Sequence, residues 1–100
     1  MKLLLITCIE EFEKDVKKIL NHSEVKSFSV QSVKGYKNEP ESELPNWFGS
    51  EYPATDSLLF IVFSEEKCLD NIMSGIEAFN TQRSFLSRIH LASFNIEKSI

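Results

Sequence analysis

From Lys2 to Ile9 the chain is apolar at both parities, with Leu3, Leu5 and Ile9 on one side and Leu4, Ile6 and Cys8 on the other. A run this short predicts a strand covered on both faces rather than a buried helix. It ends in Glu10-Glu11 with no small-residue cleavage site, so it is read as a strand and not as a leader peptide. Next, Phe12, Val16, Ile19 and Leu20 fall at helical spacing, with Glu10, Glu11 and Glu13 early and Lys17 and Lys18 late, as the helix dipole favours. The first helix is expected over about Glu10 to Asn21. Ser27 to Tyr36 alternates at first, Phe28 and Val30 against Ser29 and Gln31, then loses phase at Ser32-Val33, which predicts a half-buried strand with a bulge.

Asn38 to Asp56 has no periodicity, holds Pro40, Pro45 and Pro53, and carries five acidic residues without a Lys or Arg; it is expected to be a long loop. Ser57 to Phe63 is apolar at every position from Leu58 and predicts a second strand buried on both faces. Cys68, Leu69, Ile72, Met73, Ile76 and Phe79 then recur at helical spacing, with Ser64 ahead of Glu65, Glu66 and Lys67 as the expected N-cap and an end near Asn80. After Thr81 to Arg88, the stretch Ile89 to Ile96 predicts a last strand. No internal repeat or low-complexity tract interrupts this order.

The succession is β-α-β-β-α-β over residues 1–100, one domain with a long loop at 38–56. That order predicts an α+β, ferredoxin-like fold: a four-stranded antiparallel sheet with the first and third strands central and both helices on one face. The two strands assigned to the centre are the two that are apolar on both faces. Two helices cover one face only. About six large side chains then face the other way, and leaving them in water would forfeit on the order of 9 to 18 kcal/mol, as much as a small domain's whole stability. The expected cover is another copy of the sheet. The alternative is that the loop or the C-terminal residues fold back over it.

Composition narrows the function. At 100 residues, 42% hydrophobic and 26% charged, the chain is an ordinary globular domain, neither disordered nor disulfide-dense. A net charge of -4 gives no cationic field for a nucleic-acid backbone or an anionic membrane. No apolar run approaches the ~20 residues that cross a bilayer. Cys8 and Cys68 have no short-range partner and read as thiols in a reducing, cytoplasmic setting. A second thiolate three residues after Cys8 would make a metal-binding turn, but position 11 is Glu11. His22 and His90 lack a neighbour at ligand spacing, so no metal is assigned. There is no nucleophile elbow and no glycine-rich phosphate loop, and the chain is not read as an enzyme. In the long loop, Leu44, Trp47, Phe48 and Tyr52 stand among Glu39, Glu41, Glu43 and Glu51. Aromatic anchors among steering charges suit a docking segment; packing of Trp47 and Phe48 on a neighbouring subunit is the alternative.

The chain resembles the PII-like superfamily of trimeric signal proteins, to which the CutA divalent-ion tolerance proteins are structurally related. The likeness lies in Met1 to Ile6 followed by the amphipathic helix, in Val25 to Tyr36 as the second strand, and in the long loop after it. It implies a homotrimer with sheets facing inward, effector sites in the clefts between subunits, and a loop that contacts a target, often a membrane transporter. Members that bind ATP or ADP carry a glycine-rich basic loop between the second helix and the last strand; here Thr81 to Arg88 has neither glycine nor lysine. Arg83 and Arg88, with Lys34, Gly35 and Lys37 at the base of the long loop, are the residues left to meet an anion there. The ligand itself is unassigned. A branch linked to metal-ion efflux or another transporter fits better than ammonium-transporter control. The rival readings are a CutA-like cation binder using the loop carboxylates or His90, and a small ferredoxin-fold oligomeric enzyme of the monooxygenase type.

Overall fold

A computed structural model describes residues 1–36, 54–83 and 88–100. Strand β1 (Lys2–Ile9) leads through a 3-10 turn (Glu10–Phe12) into α1 (Glu13–His22). Then follow β2 (Ser29–Tyr36), β3 (Ala54–Ser64), α2 (Glu66–Thr81) and β4 (His90–Asn95). The sheet is antiparallel in the order β2-β3-β1-β4, so the two strands with two-sided apolar sequence are central, as expected.

The core lies between this sheet and the two helices. Leu4, Ile6 and Cys8 of β1 and Leu58, Phe60 and Val62 of β3 meet Val16 and Leu20 of α1 and Leu69, Ile72 and Ile76 of α2, all buried. The first helical segment is not one helix. With Ile9 in the cap position offering no side-chain bond, the chain tightens into a 3-10 turn. The turn drops Phe12 into the core, edge-on to Phe79 at 4.9 Å.

The helix α1 ends where Glu24 adopts a left-handed conformation (φ 63°). Its amide donates to the Asn21 carbonyl (3.3 Å), and the Val25 amide to Leu20 (3.2 Å), a Schellman ending that normally uses glycine. The Ser23 hydroxyl donates to the Ile19 carbonyl at 2.8 Å.

Three expectations need correction. β2 runs in unbroken register from Ser29 opposite Ile61 to Tyr36 opposite Ala54, with no bulge, and nearly all of it is exposed rather than half-buried. Phase is lost at Ser32-Val33 because an outer strand beyond the helices has little to bury. Residues 54–56, expected as loop, are strand: their main chain completes the ladder with Lys34, Gly35 and Tyr36. Ser64 is not the N-cap of α2. It is the buried last residue of β3, its hydroxyl donating to the Glu65 carbonyl (2.8 Å), and Glu65 holds the cap position without a side-chain bond.

The second face of the sheet carries Leu3 and Leu5 of β1 and Leu59 and Ile61 of β3, all half-buried, whereas Ile9, expected alongside Leu3 and Leu5, packs against the core. Phe63 and Phe94, both in register with Leu3, are 60% and 48% exposed. Residues 97–100 are exposed. The rest of the expected loop, residues 38–53, lies outside the described residues.

Candidate functional site

The register gathers the candidate ligand residues at one end of the sheet. Thr7 pairs with His90 and Ile9 with Ser57, while Lys34 and Gly35 pair with Asp56 and Thr55. The carboxyl ends of β1 and β2 and the amino ends of β3 and β4 therefore share a rim. α2 delivers Arg83 to the same rim, with its guanidinium 4.6 Å from the Phe79 ring centroid and 5.4 Å from that of Phe12. Arg88, half-buried, precedes β4.

One chain brings these residues to one end but not into one pocket. Lys34 and Gly35 sit on the outer strand β2 and Arg88 leads into the opposite outer strand β4, three strand spacings or about 14 Å apart. Lys34 is hydrogen-bonded and ion-paired to Asp56 on the neighbouring strand, and that bond holds its pKa above the ordinary range. Gly35 is buried in the ladder. Arg83 has its flat faces committed to aromatic rings, leaving its N–H edges to meet an acceptor. Lys37, Leu44, Trp47, Phe48 and Tyr52 lie outside the described residues, as do Glu39, Glu41 and Glu43.

A residue that sequence reasoning passed over holds the rim together. Asn80, in the last turn of α2, donates from Nδ2 to the Ile89 carbonyl (2.8 Å) and accepts at Oδ1 from the Ile89 amide (2.9 Å). The only signal in the sequence was a helix expected to end there.

Three clefts lined by described residues are open grooves. One of about 400 Å³ is bounded by Glu10, Glu13, Val30, Gln31, Ser32 and Leu58. Another, of about 440 Å³, lies at the opposite end, where Phe63, Lys26, Lys67 and Cys68 approach. A third, of about 200 Å³, runs between α2 and β4 past Met73, Asn80 and Leu91. Among the described residues no group of three or more His, Cys, Asp or Glu could hold a metal ion. Cys8 is no nucleophile: burial first, then Glu13 and Asp15, push its thiol up to about 12. No described helix is long and apolar enough to cross a membrane.

No family model matches the sequence, and no curated protein is similar to it at the sequence level. Solved structures are similar in fold. CPII of Thiomonas intermedia K12, a nitrogen regulatory PII-like protein bound to ADP, AMP and bicarbonate, superposes with a TM-score of 0.64 at 14% identity, covering 99% of this chain and 94% of that one. A second CPII structure, bound to ADP and bicarbonate, gives 0.63 at 14% identity over 97% and 88%. A DUF3240 family protein from Shewanella baltica OS155 gives 0.68 at 10% identity over 98% and 91%. The chain thus has the fold of the PII-like proteins.

Proposed function

We propose that the protein is a non-enzymatic PII-like regulator, a cytoplasmic homotrimer that binds a small anion in the clefts between subunits and contacts a partner, such as a transporter, through the 38–56 loop. The observation that carries this reading is the second face of the sheet. Leu3, Leu5, Leu59, Ile61, Phe63 and Phe94 form one apolar surface opposite the helices, and a neighbouring sheet would bury it.

Ring closure also accounts for the divided site. With the copies arranged head to tail, the outer strand β2 of one comes beside β4 of the next, and Lys34 and Gly35 approach Arg83 and Arg88 across the junction. The number three follows from the PII-like likeness; closed symmetry of another order would cover the face equally well. A small anion is favoured over a nucleotide because the connection 81–88 lacks the glycines whose amides cradle a polyphosphate. CPII, similar in fold, holds bicarbonate as well as adenine nucleotides. The free thiols Cys8 and Cys68 suit a reducing compartment.

Light scattering and a thermal-shift panel test this together. The expected mass is three times 11.5 kDa, with bicarbonate raising Tm by linkage and Arg88→Ala abolishing the shift. A folded monomer at micromolar concentration would overturn the assembly and its clefts. A shift with divalent cations alone, lost when Glu39, Glu41 and Glu43 become Gln, would replace the reading with cation binding by the loop.

A further inference from the structure

The Asn80 carboxamide uses one donor and its acceptor on both main-chain groups of a single residue, Ile89. That exchange is what two antiparallel strands make at a hydrogen-bonded pair. Here a side chain makes it at the start of β4, which is an outer strand. The result is a fixed point. The Ile89 side chain is buried at 2% exposure while its amide and carbonyl are held from outside, so neither its position nor its rotation is free. Arg88, one peptide bond away, takes its place from that fixed point and is half-buried, with its Nε shielded from solvent.

The other end of the connection is fixed as well. The Arg83 amide donates to the Asn80 carbonyl at 3.0 Å, and its guanidinium stacks on Phe12 and Phe79. Main chain and side chain of Asn80 therefore hold both ends of a connection that contains no glycine.

We propose that Asn80 is the positioning residue of the anion site, setting the direction in which Arg88 enters the cleft. This rests on the anion-binding reading above. Replacing the amide separates holding from binding. In Asn80→Asp the carboxylate still accepts from the Ile89 amide but has no donor for the Ile89 carbonyl; protonated, it regains one. Glu77 and His90 line the same groove in both proteins, so wild type is the control for everything except position 80.

The experiment follows Ile89 amide exchange protection and sulfate affinity, read from Arg88 side-chain NMR shifts, in the full chain at about pH 7 and about pH 4, on either side of an ordinary carboxyl titration. Expected in Asn80→Asp at the higher pH is a loss of about tenfold in sulfate affinity with Ile89 amide protection kept, since the carboxylate still accepts from that amide, and the affinity recovering at the lower pH relative to wild type. Asn80→Ala should lose both Ile89 protection and sulfate affinity at either pH, and recovery there would overturn the proposal. Unchanged sulfate affinity in Asn80→Ala with lost Ile89 protection would also overturn it and leave the anion site standing. A wild type with normal Ile89 protection but no sulfate binding would remove the anion site and the positioning role with it.

Discussion

Phe60 and Phe63 lie three residues apart on β3 and differ in everything but chemistry. Phe60 is 0% exposed against the helices, tilted on Phe28 at 5.8 Å, and Phe63 is 60% exposed on the other face. The same contrast runs along both central strands. Leu4 and Ile6 are fully buried while Leu3 and Leu5 are half-buried, and Leu58 and Val62 are buried while Leu59 and Ile61 are half-buried. Alternate residues of equal hydrophobicity thus meet two environments. The helix layer accounts for only one of them. The second face carries apolar side chains that the helices leave uncovered.

The sharpest break of that comparison is a pair of substitutions. Phe60→Ala should cost about 3–5 kcal/mol in urea unfolding, since it empties a dry site. Phe63→Glu should leave far-UV circular dichroism and the isolated domain's fold intact while lowering the solution mass to that of one chain. If Phe63→Glu keeps the wild-type mass, the second face is not where copies meet, and if Phe60→Ala is as mild as a surface change, the two faces are not energetically distinct.

The helix layer can be tested from behind. Gly75 is where α2 comes close to α1: a Cβ there would stand 2.9 Å from Cγ2 of Ile19 and 3.4 Å from its Cγ1. A β-branched side chain cannot swing that methyl aside cheaply. In an exposed helix Gly→Ala gains about 1 kcal/mol, whereas overpacking costs about 1–3 kcal/mol. Gly75→Ala should therefore destabilise by up to about 2 kcal/mol, and the sign should reverse in an Ile19→Ala background. A stabilised single variant would mean that the helices have room to spread and that the covered face is less tightly sealed than Phe60 implies.

The same contrast explains which parts of the fold are legible in the sequence. β1 and β3 can be read because burial on both faces leaves an unbroken apolar run, and the bounds of β1 match residue for residue. β2 misleads because its residues are nearly all exposed, so the lapse at Ser32-Val33 records freedom of choice and not a change in the backbone. Ala54, Thr55 and Asp56 look like loop because ladder bonds are made by main chain, which has no sequence signature. Of the candidate site, only the placement of residues is legible. Charge and position pick out Lys34, Arg83 and Arg88, and the fold does bring them to one rim. The commitments that qualify them, Lys34 to Asp56 and Arg83 to Phe12, connect residues far apart in the chain. Asn80 is invisible for the same reason, since nothing in the sequence marks an amide that bonds to a backbone nine residues away.

The two thiols give the smallest effect and bring the comparison down to one atom each. Cys8 is 1% exposed on the covered face of β1, and Cys68, near the start of α2, is half-buried and unpaired. Burial, with Glu13 and Asp15 adding to it, lifts the Cys8 thiol from its ordinary 9.0 to about 12, so in the native protein it stays protonated where an unfolded chain would ionise it. The unfolded state then loses its proton first. Any stability tied to Cys8 is whole below about pH 9 and declines as pH rises toward about 12, by less than about 1.4 kcal/mol per pH unit. Urea unfolding of wild type and Cys8→Ala at stepped alkaline pH should show the steeper decline in wild type. An aromatic disulfide reagent at neutral pH should label Cys68 in the native state and Cys8 only on unfolding. Equal labelling of both under native conditions would mean that the covered face opens far more often than its burial implies, and the distinction between the two faces would lose its energetic basis.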